Sequence, residues 1–241
     1  HHLYGFQKSN KVFSSGDWLR IAIKKIEEIK KRKKIPILVG GTGLYFKSLT
    51  EGLVDIPAIP IKFRQKIRSL HKSLGSKKFF IRLITLDPMV KNRINPFDTQ
   101  RAIRAYEIKL FTNKSIFEWF KNTNEKYEEK NFYKICIDIP RDKLISRINS
   151  RSKKMIEMGL ILEVKKFLQL KVSKDKTASK AIGLNEVKEY VDKKIKISEV
   201  IDKISIKTRQ YAKRQSTWAR GNMVSWKKLN QNDLNKFLKK I

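Results

Sequence analysis

The sequence predicts an α/β fold, with a parallel-sheet core interrupted by an all-helical insertion. Three observations carry that expectation. An amphipathic pattern, the apolar run "IPILVG", a Gly-rich turn and a second helical pattern follow one another between residues 14 and 50, the element order of an α/β core. From about Ile56 to Lys121 the periodicity is helical and no strand stands out. "FYKICIDIP", Phe132–Pro140, then returns to strand character. The expected divisions are 1–57 and 132–241 for the two parts of the core and 58–131 for the insertion.

With 241 residues and 40% hydrophobic content, the chain can bury a sizeable core. No apolar run approaches the ~18 residues that cross a membrane, and the opening "HHLYGFQKSN" has no signal-peptide character. The single cysteine, Cys136, excludes an internal disulfide and a Cys-based zinc site and fits a reducing cytoplasm. Lys and Arg number 56 against 23 Asp and Glu, a formal net charge of +33. Such a surplus points to a polyanion, nucleic acid before an anionic membrane, or else to a Lys-rich composition throughout. Arginine placement has to decide.

Ser14 and Asp17 stand at capping-box spacing ahead of Leu19, Ala22, Ile23, Ile26 and Ile29, predicting a helix over Ser14–Lys33. After Pro36, "ILVG" reads as a buried strand. "GGTG", Gly40–Gly43, is the type of strand-to-helix turn that holds phosphates on bare N–H groups. It is no Walker motif, because Lys47-Ser48 follows the last glycine too late. "NTNEKYEEKN", 122–131, reads as a polar loop and Lys143–Leu170 as helix broken near Gly159. "KDKTASKAIGLNE" reads as a loop, and Ser198–Arg220 as a long helix stopped by Gly221.

Along the first of these helices, Leu144, Ile148, Met155, Met158 and Leu162 form an apolar stripe, with Arg151 in its middle and Arg147 at its edge. A charge aimed inward is unfavourable unless paired, so Arg151 meets an acid or faces an anionic ligand. In the last helix Ile201, Ile204, Thr208, Tyr211, Gln215 and Trp218 follow core spacing. Arg209, Lys213 and Arg220 share one flank there, a row for a phosphate backbone or a solvated face. In the insertion, "FDTQRAIRAYEIKL" points Ile103, Tyr106 and Leu110 inward and Arg101 and Arg104 to another side. Gln100 adds donors and an acceptor of the kind that read base edges.

Together these segments resemble the tRNA dimethylallyltransferases, or tRNA isopentenyltransferases. That family's "VGGTGLYxKxLxEGL" is matched by "VGGTGLYFKSLTEGL" at Val39–Leu53, and its "NDxQRxxRALE" by "FDTQRAIRAYE" at Phe97–Glu107. "AIGLNE", Ala181–Glu186, resembles an "AIGYKE" loop, and "TRQYAKRQSTWAR", Thr208–Arg220, a "TRxYAKRQxTWxR" helix. Thr99 replaces a common Pro, and Leu184-Asn185 a usual Tyr-Lys. The family's "HHL" fits His1-His2-Leu3.

In that family a P-loop and a "DSxQ" segment precede the "HHL" position, and neither occurs in this sequence. The resemblance therefore implies a P-loop-NTPase-like parallel-sheet core, N-terminal strand and P-loop absent, with an inserted all-helical tRNA-binding domain. It implies transfer from dimethylallyl diphosphate to N6 of adenine 37 in tRNAs reading codons that begin with U, assisted by Mg²⁺, in the cytoplasm. The protein is then a monomer or needs a separate N-terminal fragment, and the chain by itself is expected to be inactive and poorly stable. Thr42 matches a position that contacts the target nucleotide, where the glycines let backbone and base approach, and Arg151 matches one that holds the diphosphate. The general-base Asp belongs to "DSxQ". Positions matching tRNA contacts are Arg64, Gln100, Arg101, Arg104, Ala181, Ile182, Gly183, Arg209, Lys213, Arg214, Gln215, Trp218 and Arg220. The alternatives are a non-catalytic tRNA- or RNA-binding remnant with the same surfaces, or a P-loop-kinase relative acting on a small phosphorylated substrate.

Overall fold

The computed structural model describes residues 1–11, 13–121, 123–124, 127–174 and 176–239. The chain divides into two compact units, His1–Ser48 with Glu129–Ile241, and Leu49–Glu128. Helix α1, Ser15–Lys31, begins at the expected capping box: Ser14 Oγ accepts from the Asp17 N–H, and the Asp17 carboxylate accepts from the Ser14 N–H. Ala22 and Ile26 are its buried positions.

The next segment corrects the sequence reading. Residues 35–40 form no strand, and Ile37 and Val39 are 69% and 80% exposed. An extended run becomes a sheet strand only when a neighbour takes up its N–H and C=O groups. Among the described residues no strand pairs with it. Helix α2, Gly43–Thr50, follows, with Ser48, Leu49 and Thr50 buried.

In the helical unit, β1 (Leu53–Val54) pairs antiparallel with β2 (Thr123–Asn124). This pairing ties the start of the unit to its end, which is why it spans Leu49–Glu128 rather than 58–131. Of the expected polar loop 122–131, residues 122, 125 and 126 lie outside the described residues. Helix α3, Ile61–Leu86, kinks at Gly75 with φ 71° and ψ 165°, a conformation open to glycine because it has no Cβ. Helices α4 (Thr99–Thr112) and α5 (Ile116–Trp119) complete the unit. Phe79, Leu83, Val90 and Ala105 are fully buried in its core; a Phe or Leu so placed stabilises by roughly 1.5–3 kcal/mol. In helix α4 the expected inward positions Tyr106 and Ile103 do pack on the core, whereas Leu110 does not. Ala102, Ala105 and Tyr106 meet the core while Leu110 is 43% exposed, the small alanines letting α3 pack closely.

The chain then returns to the first unit. β3 (Ile135–Ile137) pairs in parallel with β4 (Lys227–Leu229), Ile135 opposite Lys227. A parallel pair needs a long crossover, and helices α6 (Arg141–Glu157), α7 (Leu160–Gln169), α8 (Leu184–Val191) and α9 (Ile197–Asn222) supply it. Residue 175, in the expected loop before α8, lies outside the described residues. Helix α10, Gln231–Leu238, follows β4. Val164, Val187, Val200 and Ile204 join α7, α8 and α9 in a second core. Helix α9 runs through Gly221, where the sequence reading ended it, because Met223 N–H still reaches Ala219 O and Asn222 Nδ2 donates to Trp218 O. This is an α/β architecture with a helical insertion. No described helix is long and apolar enough to cross a membrane.

Candidate functional site

The Gly-rich turn is built against α9. Gln215 Nε2 donates to Gly41 O at 2.9 Å. A Cβ on Gly41 would lie 2.1 Å from Gln215 Nε2, and one on Gly43 2.1 Å from Trp218 Cε3. The close approach expected between these glycines and a substrate base is thus made in the structure by the side chains of α9. Thr42 is exposed, and its carbonyl accepts from the Tyr45 N–H at 2.9 Å. Tyr45 stacks on Trp18 with ring centroids 4.5 Å apart and an interplanar angle of 8°. Burial pushes the Tyr45 phenol pKa up.

Core spacing holds for only half of α9. Val200, Ile204 and Ser205 are buried, whereas Tyr211 is 43% exposed. Thr208 Oγ1 donates to its own helix at Ile204 O, 2.7 Å away, which accounts for a polar residue in the stripe. Beyond it the helix displays cations. Arg209 and Lys213 are exposed and have no ion-pair partner among the described residues. Arg214 lies over the Tyr211 ring at 5.6 Å, and Arg220 Nη2 donates to Thr217 Oγ1 at 3.4 Å.

Arg151 is exposed rather than inward, and it too lacks an ion-pair partner among the described residues. The reason lies at Gly159, whose φ of 96° separates α6 from α7. Met158 and Leu162, used to draw one stripe through Arg151, therefore do not extend α6, and they are 86% and 58% exposed. Without them the buried face centres between Ile148 and Ser152, about 80° from Arg151 at ~100° per residue. Arg147 Nη2 donates to Gln231 Oε1 at 2.7 Å.

The "AIG" segment is largely internal. Ala181 is exposed, Ile182 packs on the second core, and Gly183 is buried with φ 106°. Gly183 N–H donates to Glu186 Oε2 at 2.8 Å, and Lys207 Nζ donates to Glu186 Oε1. Burial raises the Glu186 pKa, but the Lys207 ammonium and the Gly183 and Glu186 N–H groups outweigh it, leaving the carboxyl below its usual range.

In the helical unit, Arg101 and Arg104 do not project freely side by side. Arg101 Nε sits 3.4 Å from Asp98 Oδ2, while Gln100 is exposed. Arg104 Nη1 and Arg64 Nε each donate to Glu107 Oε2 at 3.3 Å, and Arg68 Nε lies 3.9 Å from Glu107 Oε1. Glu107 is 1% exposed. Sequence reasoning missed Glu107 and Arg68. The i, i+3 pair Arg104–Glu107 and the i, i+4 pair Arg64–Arg68 were visible; that the second meets the first was not.

The IPP transferase family model matches residues 1–222. A tRNA dimethylallyltransferase of Pelagibacter ubique (strain HTCC1062) is 53% identical over 241 residues, covering all of this chain and 77% of that protein. One from Rickettsia massiliae (strain Mtu5) is 37% identical over 244 residues, covering all of this chain and 67% of its own. The crystal structure of the full-length tRNA isopentenylpyrophosphate transferase from Bacillus halodurans superposes with a TM-score of 0.61 at 32% identity, covering 95% of this chain and 71% of that one. A eukaryotic dimethylallyltransferase acting on tRNA gives a TM-score of 0.74 at 26% identity, covering 94% of this chain and 59% of that one.

Proposed function

This chain belongs to the IPP transferase family, the tRNA dimethylallyltransferases, and on that premise we propose which of its residues carry the prenyl transfer. The acceptor is N6 of adenine 37 in tRNAs whose codons begin with U, and the donor is dimethylallyl diphosphate. The N6 lone pair forms a C–N bond to C1 of the donor as the C–O bond breaks. Diphosphate leaves with that electron pair, and N6 passes its proton to the general-base Asp that the family's "DSxQ" segment supplies. An adenine edge is reachable only once the base leaves its stack.

The observation that carries the reading is the joining of the Thr42 turn to the cationic half of α9 through Gln215 and Trp218. It sets an exposed hydroxyl, able both to donate and to accept, beside a helix whose Arg209 and Lys213 have no ion-pair partner among the described residues. Thr42 orients the adenine, while Arg209, Lys213, Arg214 and Arg220 follow the RNA phosphates. The guanidinium of Arg151, free of an ion-pair partner among the described residues, grips the diphosphate, which a planar fork can do with two parallel hydrogen bonds. Ala181 lies at the RNA-facing surface, whereas Ile182 and Gly183 shape the segment behind it. In the helical unit, Arg64, Gln100, Arg101 and Arg104 contact the anticodon stem-loop. Mg²⁺ supplies charge neutralisation to a leaving diphosphate, but no group of three or more His, Cys, Asp or Glu among the described residues could hold a metal ion.

The test is transfer to an anticodon stem-loop from dimethylallyl diphosphate with Mg²⁺, read by mass spectrometry of the digested nucleosides. It is run with the chain alone and with an added fragment bearing the family's P-loop and "DSxQ" segments. Prenylated adenosine is expected in the mixture with the added fragment, with Arg151→Gln lowering kcat/KM there about 10²-fold, as loss of one preorganised charge contact does. RNA binding without transfer in both mixtures would leave only the RNA-binding remnant.

A further inference from the structure

We infer that Glu107 is a positioning residue that holds Arg64, Arg68 and Arg104 as one preformed clamp for the phosphates of the tRNA anticodon stem. The inference rests on the tRNA reading above and adds two residues to it, Glu107 and Arg68.

A buried carboxylate is neutralised by one guanidinium, yet three converge here, two from α3 and one from α4. The cluster therefore keeps two surplus positive charges. Glu107 is 1% exposed, whereas the side chains of Arg64 and Arg104 are each 38% exposed and that of Arg68 58%. The acid lies inside and the cations reach the surface. Glu107 Oε2 accepts from both Arg64 and Arg104, while Oε1 accepts no hydrogen bond among the described residues. Each arginine thus commits a single nitrogen, or only a charge contact, to the carboxylate. A guanidinium carries five N–H donors, so the rest remain for an external anion. Like charges this close would splay apart in water without the acid between them. Anchored by it, they approach a phosphate with their rotamer freedom already lost, which is what preorganisation contributes to affinity. A brace serving stability alone would have no use for the second and third guanidinium.

The test turns on a sign. Glu107→Gln raises the net charge by one, so a simple electrostatic surface would bind RNA more tightly. The clamp predicts the reverse: about 10-fold weaker binding of an anticodon stem-loop. It also predicts that the dependence of log Kd on log salt becomes shallower by about 1, since each lost phosphate contact removes ~0.7–0.9 from the slope. Circular dichroism and a thermal melt confirm that the variant is folded at the assay temperature. Should Glu107→Gln not fold, Arg68→Gln carries the test, because Arg64 and Arg104 still neutralise the acid; its slope should fall by about one contact. Unchanged or tighter binding by folded Glu107→Gln, or an unchanged slope for Arg68→Gln, overturns the clamp. If the unaltered protein fails to bind the stem-loop at all, the tRNA reading falls and the clamp with it.

Discussion

Glu186 and Glu107 are buried to almost the same degree, 2% and 1% exposed, but their surroundings neutralise them differently. Glu186 takes the Gly183 N–H at the start of its own helix and one ammonium from Lys207. Its local charge sums to zero. Glu107 takes guanidiniums from two helices and leaves two positive charges over. The first arrangement is a helix cap with a counter-ion, complete in itself. The second is complete only when another anion arrives. Burial alone does not distinguish a brace from a binding device; the charge balance around the buried group does.

The comparison can be broken by stability measurements. The largest effect is expected for Glu186→Ala, which removes the cap acceptor from a buried N–H and a paired carboxylate: about 2–3 kcal/mol in a urea titration. Gly183→Ala should follow at about 1–2 kcal/mol, because φ of 106° strains any residue with a Cβ. Lys207→Gln is expected near 1 kcal/mol, since the Gly183 N–H still serves the carboxylate. Arg64→Gln should change stability by less than about 0.5 kcal/mol, because two guanidiniums remain on Glu107. If Arg64→Gln instead matched Lys207→Gln, the two glutamates would be braces of one kind.

Acid sharpens the contrast. Glu186 has a lowered pKa in the folded protein, so it binds its proton less readily there than in the unfolded chain. Its stabilisation is present above the ordinary carboxyl pKa of 4.5 and is lost as pH falls through the lower folded value. The melting temperature should therefore drop below about pH 4.5, and Glu186→Gln should flatten that limb. An unchanged acid limb in Glu186→Gln would mean that other carboxylates carry the dependence.

Local signals were legible where local physics suffices. Ser14 and Asp17 announced the start of α1, and Gly159 announced a break between α6 and α7. The helical block between two strand-like runs marked the insertion, and the motif order carried the family. Misreadings arose where a long-range partner decides. Ile37 and Val39 look like a buried strand, but a strand exists only with a neighbour, and these side chains are exposed. Arg151 appeared inward because the stripe was carried across Gly159 into another helix. Gln215 and Trp218 had the spacing of core residues; that they clasp Gly41 and Gly43 depends on a partner 174 positions away from Gln215 and a second turn residue comparably remote from Trp218.

By itself, then, the sequence determined the helices, the insertion, the surplus of cations and the chemistry of the family, because periodicity, capping and motif order act over a few residues. Only the tertiary structure decided which cations are spoken for. Arg64 and Arg104 share a buried acid, whereas Arg151, Arg209 and Lys213 are free among the described residues. An arginine's role follows from the nearest opposite charge, and folding sets that distance.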